Sequence, residues 1–236
     1  MTDGGASGKL PRPHRAPYSA AAIPRGQADM LRVWGRINSS NVMKVLWLLD
    51  ELALPFERRD AGGPFGGTDS EEYRAMQPLG LVPALEEDGF TLFESNAILR
   101  YLCNAYAPHS TLYPAAPRRR GIVDAWLDFQ QTALNRPQST VFQGLVRTPP
   151  ERRDHAAISA AVTEAGQLWA LLDTRLSAQP FLTGDALTLA DIGLGVHVHR
   201  WFAMPIARPD SPNLHAWYAR LLLRPPYRAH VAQPVT

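Results

Sequence analysis

The chain has 236 residues, 45% apolar and 19% charged, which allows one or two domains with a sizeable core and excludes a polyelectrolyte disordered protein. No run approaches 18 uncharged apolar residues, so no membrane helix is expected, and the single cysteine, Cys103, excludes a disulfide framework and points to a reducing, cytoplasmic setting. The net charge of +2 resides in residues 1–29, where Lys9, Arg12, Arg15 and Arg25 face Asp3 and Asp29. The balanced remainder has no overall field to attract nucleic acid or an anionic membrane.

Residues 1–29 mix Gly, Pro, Ala and Arg without a helix or strand period and are expected to form a disordered extension. Leu31 to Trp34 then reads as a strand, followed by a polar turn, Asn38-Ser39-Ser40-Asn41. Val42, Val45, Leu46, Leu49, Leu52 and Ala53 trace one face of a helix that Pro55 ends. Phe56 to Asp60 predicts a second strand, and a short helical piece follows around Glu71 to Met76. Two more strands, Val82 to Glu86 and Thr91 to Phe93, flank a turn with the Asp88-Gly89 pair of a tight hairpin. Ser95 opens a further helix with Ile98, Tyr101, Leu102 and Ala105 in register. Residues 30–107 thus read βαβ-α-ββα.

Pro108, Pro114 and Pro117 mark a linker over 108–117, and 118–236 reads as all helical. Ile158, Val162, Ala165, Trp169, Leu172 and Leu176 predict one long helix. Thr188-Leu189-Ala190-Asp191 fits a capping box, and Gly193 and Gly195 in the helix it opens predict close packing.

Three places in the first part suggest chemistry. The turn Asn38 to Asn41 sets a hydroxyl and an amide at a helix N-terminus, where negative charge such as a thiolate is favoured; Ser39 equally suits a cap. Val82-Pro83 at a strand start would, with a cis bond, expose the Val82 backbone to an extended peptide. At the next strand-to-helix junction the Ser95 hydroxyl and N–H suit a carboxylate and Glu94 an ammonium, together the zwitterionic end of an amino acid; alternatively both merely serve the helix start.

Val82-Pro83 followed by Glu94-Ser95-Asn96-Ala97-Ile98-Leu99, with Thr188-Leu189-Ala190-Asp191 in a helical second half, closely resembles the cytosolic glutathione S-transferases from Leu31 onward. The resemblance implies an α+β protein: a thioredoxin-like N-terminal domain that holds glutathione, then an all-α helical bundle forming most of the electrophile pocket, usually as a homodimer. It implies a glutathione site at Leu81, Val82, Pro83, Glu94 and Ser95. Catalysis would rest on Ser39, as in theta-, delta- and tau-like classes, with Asn41. Nu-like bacterial enzymes, which reduce disulfides with two glutathiones, carry Thr and Asn there, but follow the Asn with Gly where this chain has Val42. The turn lacks the tyrosine of alpha, mu and pi classes and the cysteine of beta and omega classes. Leu81 stands where many relatives carry a lysine for the glycyl carboxylate, and Arg36 or Lys44 are its candidate substitutes.

The expected function is therefore glutathione transfer to small, hydrophobic electrophiles, a detoxification chemistry. The alternatives are glutathione-dependent disulfide reduction and a non-catalytic interaction module. Trp126, Phe129 and Trp201 are candidates for the electrophile pocket, against a core-packing role. No metal is expected, because His197 and His199 sit two apart on a helix and point different ways. Cys103 is expected to be buried and inert.

Overall fold

The computed structural model describes residues 30–236; the expected disordered extension lies outside the described residues. The first part comprises β1 (Leu31–Trp34), α1 (Ser40–Glu51), β2 (Phe56–Arg59), α2 (Glu71–Met76), β3 (Ala84–Glu87), β4 (Phe90–Phe93) and α3 (Ser95–Tyr106). Its sheet runs β2-β1-β3-β4, with β1 parallel to β2 and both other pairs antiparallel. This is a thioredoxin-like domain. A helical domain follows: α4 (Pro117–Phe129), α5 (Asn135–Phe142), α6 (His155–Leu176), α7 (Leu189–Ala203), α8 (Pro212–Leu222) and α9 (Pro225–His230). No helix among the described residues is long and apolar enough to cross a membrane.

Two of the boundaries that differ from the sequence reading bear on the site. The expected strand from Val82 begins instead at Ala84, which pairs with Trp34, so Val82 and Pro83 stand outside the ladder. A proline has no N–H to contribute to a ladder. β4 begins at Phe90 because Asp88 and Gly89 alone make the turn, with φ of 45° and 76°, the two left-handed residues of a type I′ hairpin.

Helix α1 is the keel of the molecule. Every residue from Val42 to Leu49 is buried, because the helix packs against α3 on one side and against α7 and α9 on the other. A helix covered all round needs apolar residues all round, and here the one exception is Lys44. Trp47 meets Tyr227 of α9 edge to face, with ring centroids 4.7 Å apart. Glycine lets α7 approach this closely: a Cβ on Gly195 would lie 2.8 Å from the Trp47 ring, and one on Gly193 would lie 2.7 Å from Leu127.

The predicted capping box closes at the start of α7. The buried Asp191 carboxylate accepts from the Thr188 N–H (2.8 Å), the Leu182 N–H (2.9 Å) and the Trp217 indole N–H (3.0 Å). Burial nevertheless pushes its pKa up to about 6, against these donors. Between α4 and α5 the chain winds through a π-helical turn, Gln130–Leu134. That turn precedes Pro137, whose missing N–H breaks the regular ladder.

Candidate active site

The site begins at the turn after β1. Gly35 has φ of 152°, and a Cβ there would fall 2.5 Å from Val42, so the chain folds back tightly enough to set Ser39 at the N-cap of α1. The Ser39 N–H donates to the Arg36 carbonyl (3.2 Å) and its carbonyl accepts from the Met43 N–H (2.9 Å). Its hydroxyl makes no capping bond. Of the two roles open from sequence, side-chain capping is therefore absent, and a hydroxyl with no hydrogen-bond partner among the described residues, on a side chain 7% exposed, stands at the positive end of a helix whose first amides need acceptors.

Val82 and Pro83 are joined by a cis bond. Among the described residues the Val82 N–H and C=O have no backbone partner, which leaves a short stretch of chain able to pair with an extended peptide. The flanking Leu81 is 58% exposed, and its carbonyl accepts from the Tyr73 hydroxyl (2.7 Å). A cleft of about 60 Å³ is lined by Asn41, Gln77, Leu81, Val82, Pro83, Glu94, Ser95 and Gln131. Gln77, Leu81, Val82 and Pro83 flank it on one stretch of chain, Glu94 and Ser95 on another, and Gln131 reaches it from the π turn of the helical domain.

Glu94, where β4 passes into α3, is an exposed acid with φ of 68°, a conformation costly for a residue with a Cβ. That backbone places Ser95 at the first position of α3, with Glu94 as an N-cap that uses no side-chain bond. The sequence reading offers the Ser95 hydroxyl to a bound carboxylate. Instead the hydroxyl donates to Asn41 Oδ1 (3.2 Å) and accepts from Lys44 Nζ (3.4 Å), while the Ser95 N–H keeps no backbone partner among the described residues.

The reason for this inward turn is Lys44. Its Nζ is wholly buried and donates to Gln130 Oε1 (2.6 Å), Asn41 Oδ1 (3.0 Å), Asn96 Oδ1 (3.4 Å) and Ser95. Burial pulls its pKa down to about 7; Glu94 opposes the shift and Arg200 adds to it. A buried ammonium is retained only with such partners. They place it beneath the Glu94-Ser95 end of the cleft, so it does not take over the missing lysine's place near Leu81. Arg36 lies beside Val82: a Cβ on Gly62 would be 3.2 Å from Val82 and 3.5 Å from the Arg36 guanidinium.

This geometry has known counterparts. Family models described as glutathione S-transferase N-terminal domain and glutathione S-transferase C-terminal domain match residues 30–104 and 155–220. The glutathione S-transferase GstB of Escherichia coli strain K12 is 41% identical over 209 residues, spanning 88% of this chain and all of that protein. The chain belongs to the glutathione S-transferase family. Glutathione S-transferase 3 of Zea mays is 32% identical over 215 residues, or 86% of this chain and 93% of that protein. The solved theta class glutathione S-transferase of Xanthomonas axonopodis pv. citri, with glutathione bound, superposes with a TM-score of 0.84 at 46% identity, covering 87% of this chain and 99% of that one.

Within this transferase fold one of the three aromatic candidates for the electrophile pocket is a core residue. Trp201 is 1% exposed and lies against Trp169, ring centroids 6.3 Å apart, so it is a core side chain and not a pocket wall. Trp126 and Phe129 form an edge-to-face pair half-buried against the core, outside the cleft. Burial pushes the Cys103 thiol up to about 12, which makes it inert. His199 bonds Tyr218 (2.9 Å) and the Gln233 carbonyl (2.8 Å), and His197 bonds Gln130 (3.0 Å). Sequence reasoning assigned no role to Gln77 or Gln131. Gln77 had a signal, since it precedes Pro78 in the same loop; Gln131 had none, because its place depends on how the two domains pack.

Proposed function

We propose that this chain catalyses attack of the glutathione thiolate on small electrophiles, with the Ser39 hydroxyl as the donor to the sulfur. The observation that carries this reading is the Ser39 hydroxyl, without a partner among the described residues, at the start of α1, in a family member with an open peptide-pairing stretch at Val82. In this assignment Val82 pairs with the cysteinyl backbone beside Pro83, and Glu94 takes the γ-glutamyl ammonium. The Ser95 N–H takes the γ-glutamyl carboxylate over the buried Lys44 charge, and Arg36 takes the glycyl carboxylate in place of a lysine at Leu81. Assembly as a homodimer in the cytoplasm belongs to the same proposal, as the family resemblance implies.

The magnitudes agree. A free thiol titrates near about 8.5, and lowering that by about two units takes about 2.7 kcal/mol of preference for the anion. A hydroxyl bond to a charged acceptor supplies about 1.5–3 kcal/mol and a helix N-terminus about 0.3–1 kcal/mol. Asn41 serves differently: its carbonyl is already engaged by Lys44 and Ser95, so it ties α1 to α3. This weakens the resemblance to disulfide-reducing enzymes, which rested on Asn41.

Ultraviolet titration of glutathione bound to Ser39→Ala tests the reading. The bound thiol pKa is expected to return toward its free value while calorimetry still shows binding. An unchanged thiol pKa removes Ser39 from its role, and absence of glutathione binding by the unaltered protein favours an interaction module.

A further inference from the structure

Three arginines surround the first turn without an aspartate or glutamate partner among the described residues. Arg200, in the last turn of α7, donates to the Asn38 carbonyl (2.9 Å), next to Ser39. Arg147 donates to a main-chain oxygen of Thr236, the last residue of the chain (2.7 Å), and the Thr236 hydroxyl accepts from the Asn38 amide (3.1 Å). Arg36 starts the same turn, with its Nε buried and unpartnered. Among the described residues none of the three is in an ion pair with an aspartate or glutamate.

Arg200 and Arg147 share a platform. Their guanidinium carbons lie 4.1 Å and 5.3 Å from the centre of the Phe142 ring. A guanidinium laid on an aromatic plate keeps its N–H donors in its own plane, the geometry that meets a carboxylate with two bonds. Each guanidinium has five such donors, and among the described residues Arg147 and Arg200 each use one. The cations also oppose one another: burial first, then Arg147 and Arg36, lower the Arg200 pKa to about 10.

We infer that Arg147 and Arg200, on the Phe142 face beside Ser39, form a binding site for an anionic group on the electrophile, so that this transferase prefers small aromatic electrophiles carrying a carboxylate. This rests on the proposed transferase activity and sharpens its substrate class from hydrophobic to anionic. In the reaction the glutathione thiol yields its proton to solvent, the sulfur forms a bond to the ring carbon, and chloride leaves with the electron pair of the broken C–Cl bond.

The test compares 4-chloro-3,5-dinitrobenzoate with its neutral benzamide, each rate divided by the uncatalysed rate with free glutathione. The carboxylate is expected to have at least a tenfold higher normalised kcat/KM, and Arg147→Gln, an exposed change, is expected to remove most of that ratio, as is Arg200→Gln. Conjugation of both compounds with no carboxylate preference, or a ratio unmoved in both variants, overturns the anion site and leaves the transferase reading standing. Conjugation of neither removes the transferase reading. In that case, calorimetric titration of benzoate into protein saturated with S-methylglutathione decides the site. Binding weakened tenfold by Arg147→Gln supports it; absence of binding, as when Thr236 holds its place on Arg147, overturns it.

Discussion

At the scale of single residues, Lys44 sets a pH dependence whose sign can be worked out. Its pKa in the folded protein, about 7, lies below the ordinary lysine value. Between these two values the unfolded chain binds more protons than the folded one, so this residue makes stability rise with pH from about 7 to about 10.4, with a constant cost below that window. Glutathione binding runs the other way. A carboxylate above Ser95 favours the ammonium, so the Kd of S-methylglutathione, which has no thiol to ionise, is expected to rise as pH increases from 6.5 to 8.5. Calorimetry across that range checks the trend, and Lys44→Met should flatten it.

Glu94 makes the opposite bargain between stability and function. Its left-handed φ of 68° costs a side-chain-bearing residue about 1–3 kcal/mol, and glycine would remove much of that. Glu94→Gly is expected to raise the urea midpoint while weakening glutathione binding at least tenfold. A lower midpoint would show that Glu94 is not strained. The Glu94-Ser95 pair was legible in sequence as an amino-acid grip, because a strand-to-helix junction carries its chemistry locally. Lys44 was not. A lysine in a helix is ordinarily placed on a solvated face, and only the near-continuous apolar run around it hints that this helix has no such face.

Among the elements, α7 depends on its buried start. Asp191→Ala would leave the Leu182 and Thr188 amides and the Trp217 indole N–H without acceptors, at a cost of about 2–4 kcal/mol, read as a shift of the urea midpoint with an unchanged slope. Gly195→Ala sets a methyl 2.8 Å from the Trp47 ring and is expected to cost about 1–3 kcal/mol by overpacking. Most of this level could be read beforehand. The strand–helix alternation, the Asp88-Gly89 hairpin, the long α6 stripe and the capping box are all short-range patterns. The π turn at Gln130–Leu134 had no such pattern, and Trp201 carried the same apolar signal whether it lined a pocket or filled the core. Which it does is decided by Trp169, thirty-two positions away in sequence.

Across the whole molecule, the two domains share one core. The buried cluster runs from Val33 and Leu85 of the sheet, through α1, to Trp217 and Tyr227 of the last helices. A fragment of residues 30–107 would expose Trp47 and much of α1, so it is expected to give neither dispersed NMR signals nor a cooperative urea transition; finding both would show that α1 needs no cover.

Gln130 gives this union a particular consequence. Its amide oxygen receives Lys44, so its amide nitrogen must face His197 and the imidazole must carry its proton on Nδ1. One hydrogen-bonded relay thus runs from beneath the peptide cradle into the heart of the helical bundle. A collection of variants selected for altered tripeptide affinity should accordingly contain changes at Gln130 and His197, interior positions that a map of ligand contacts would pass over.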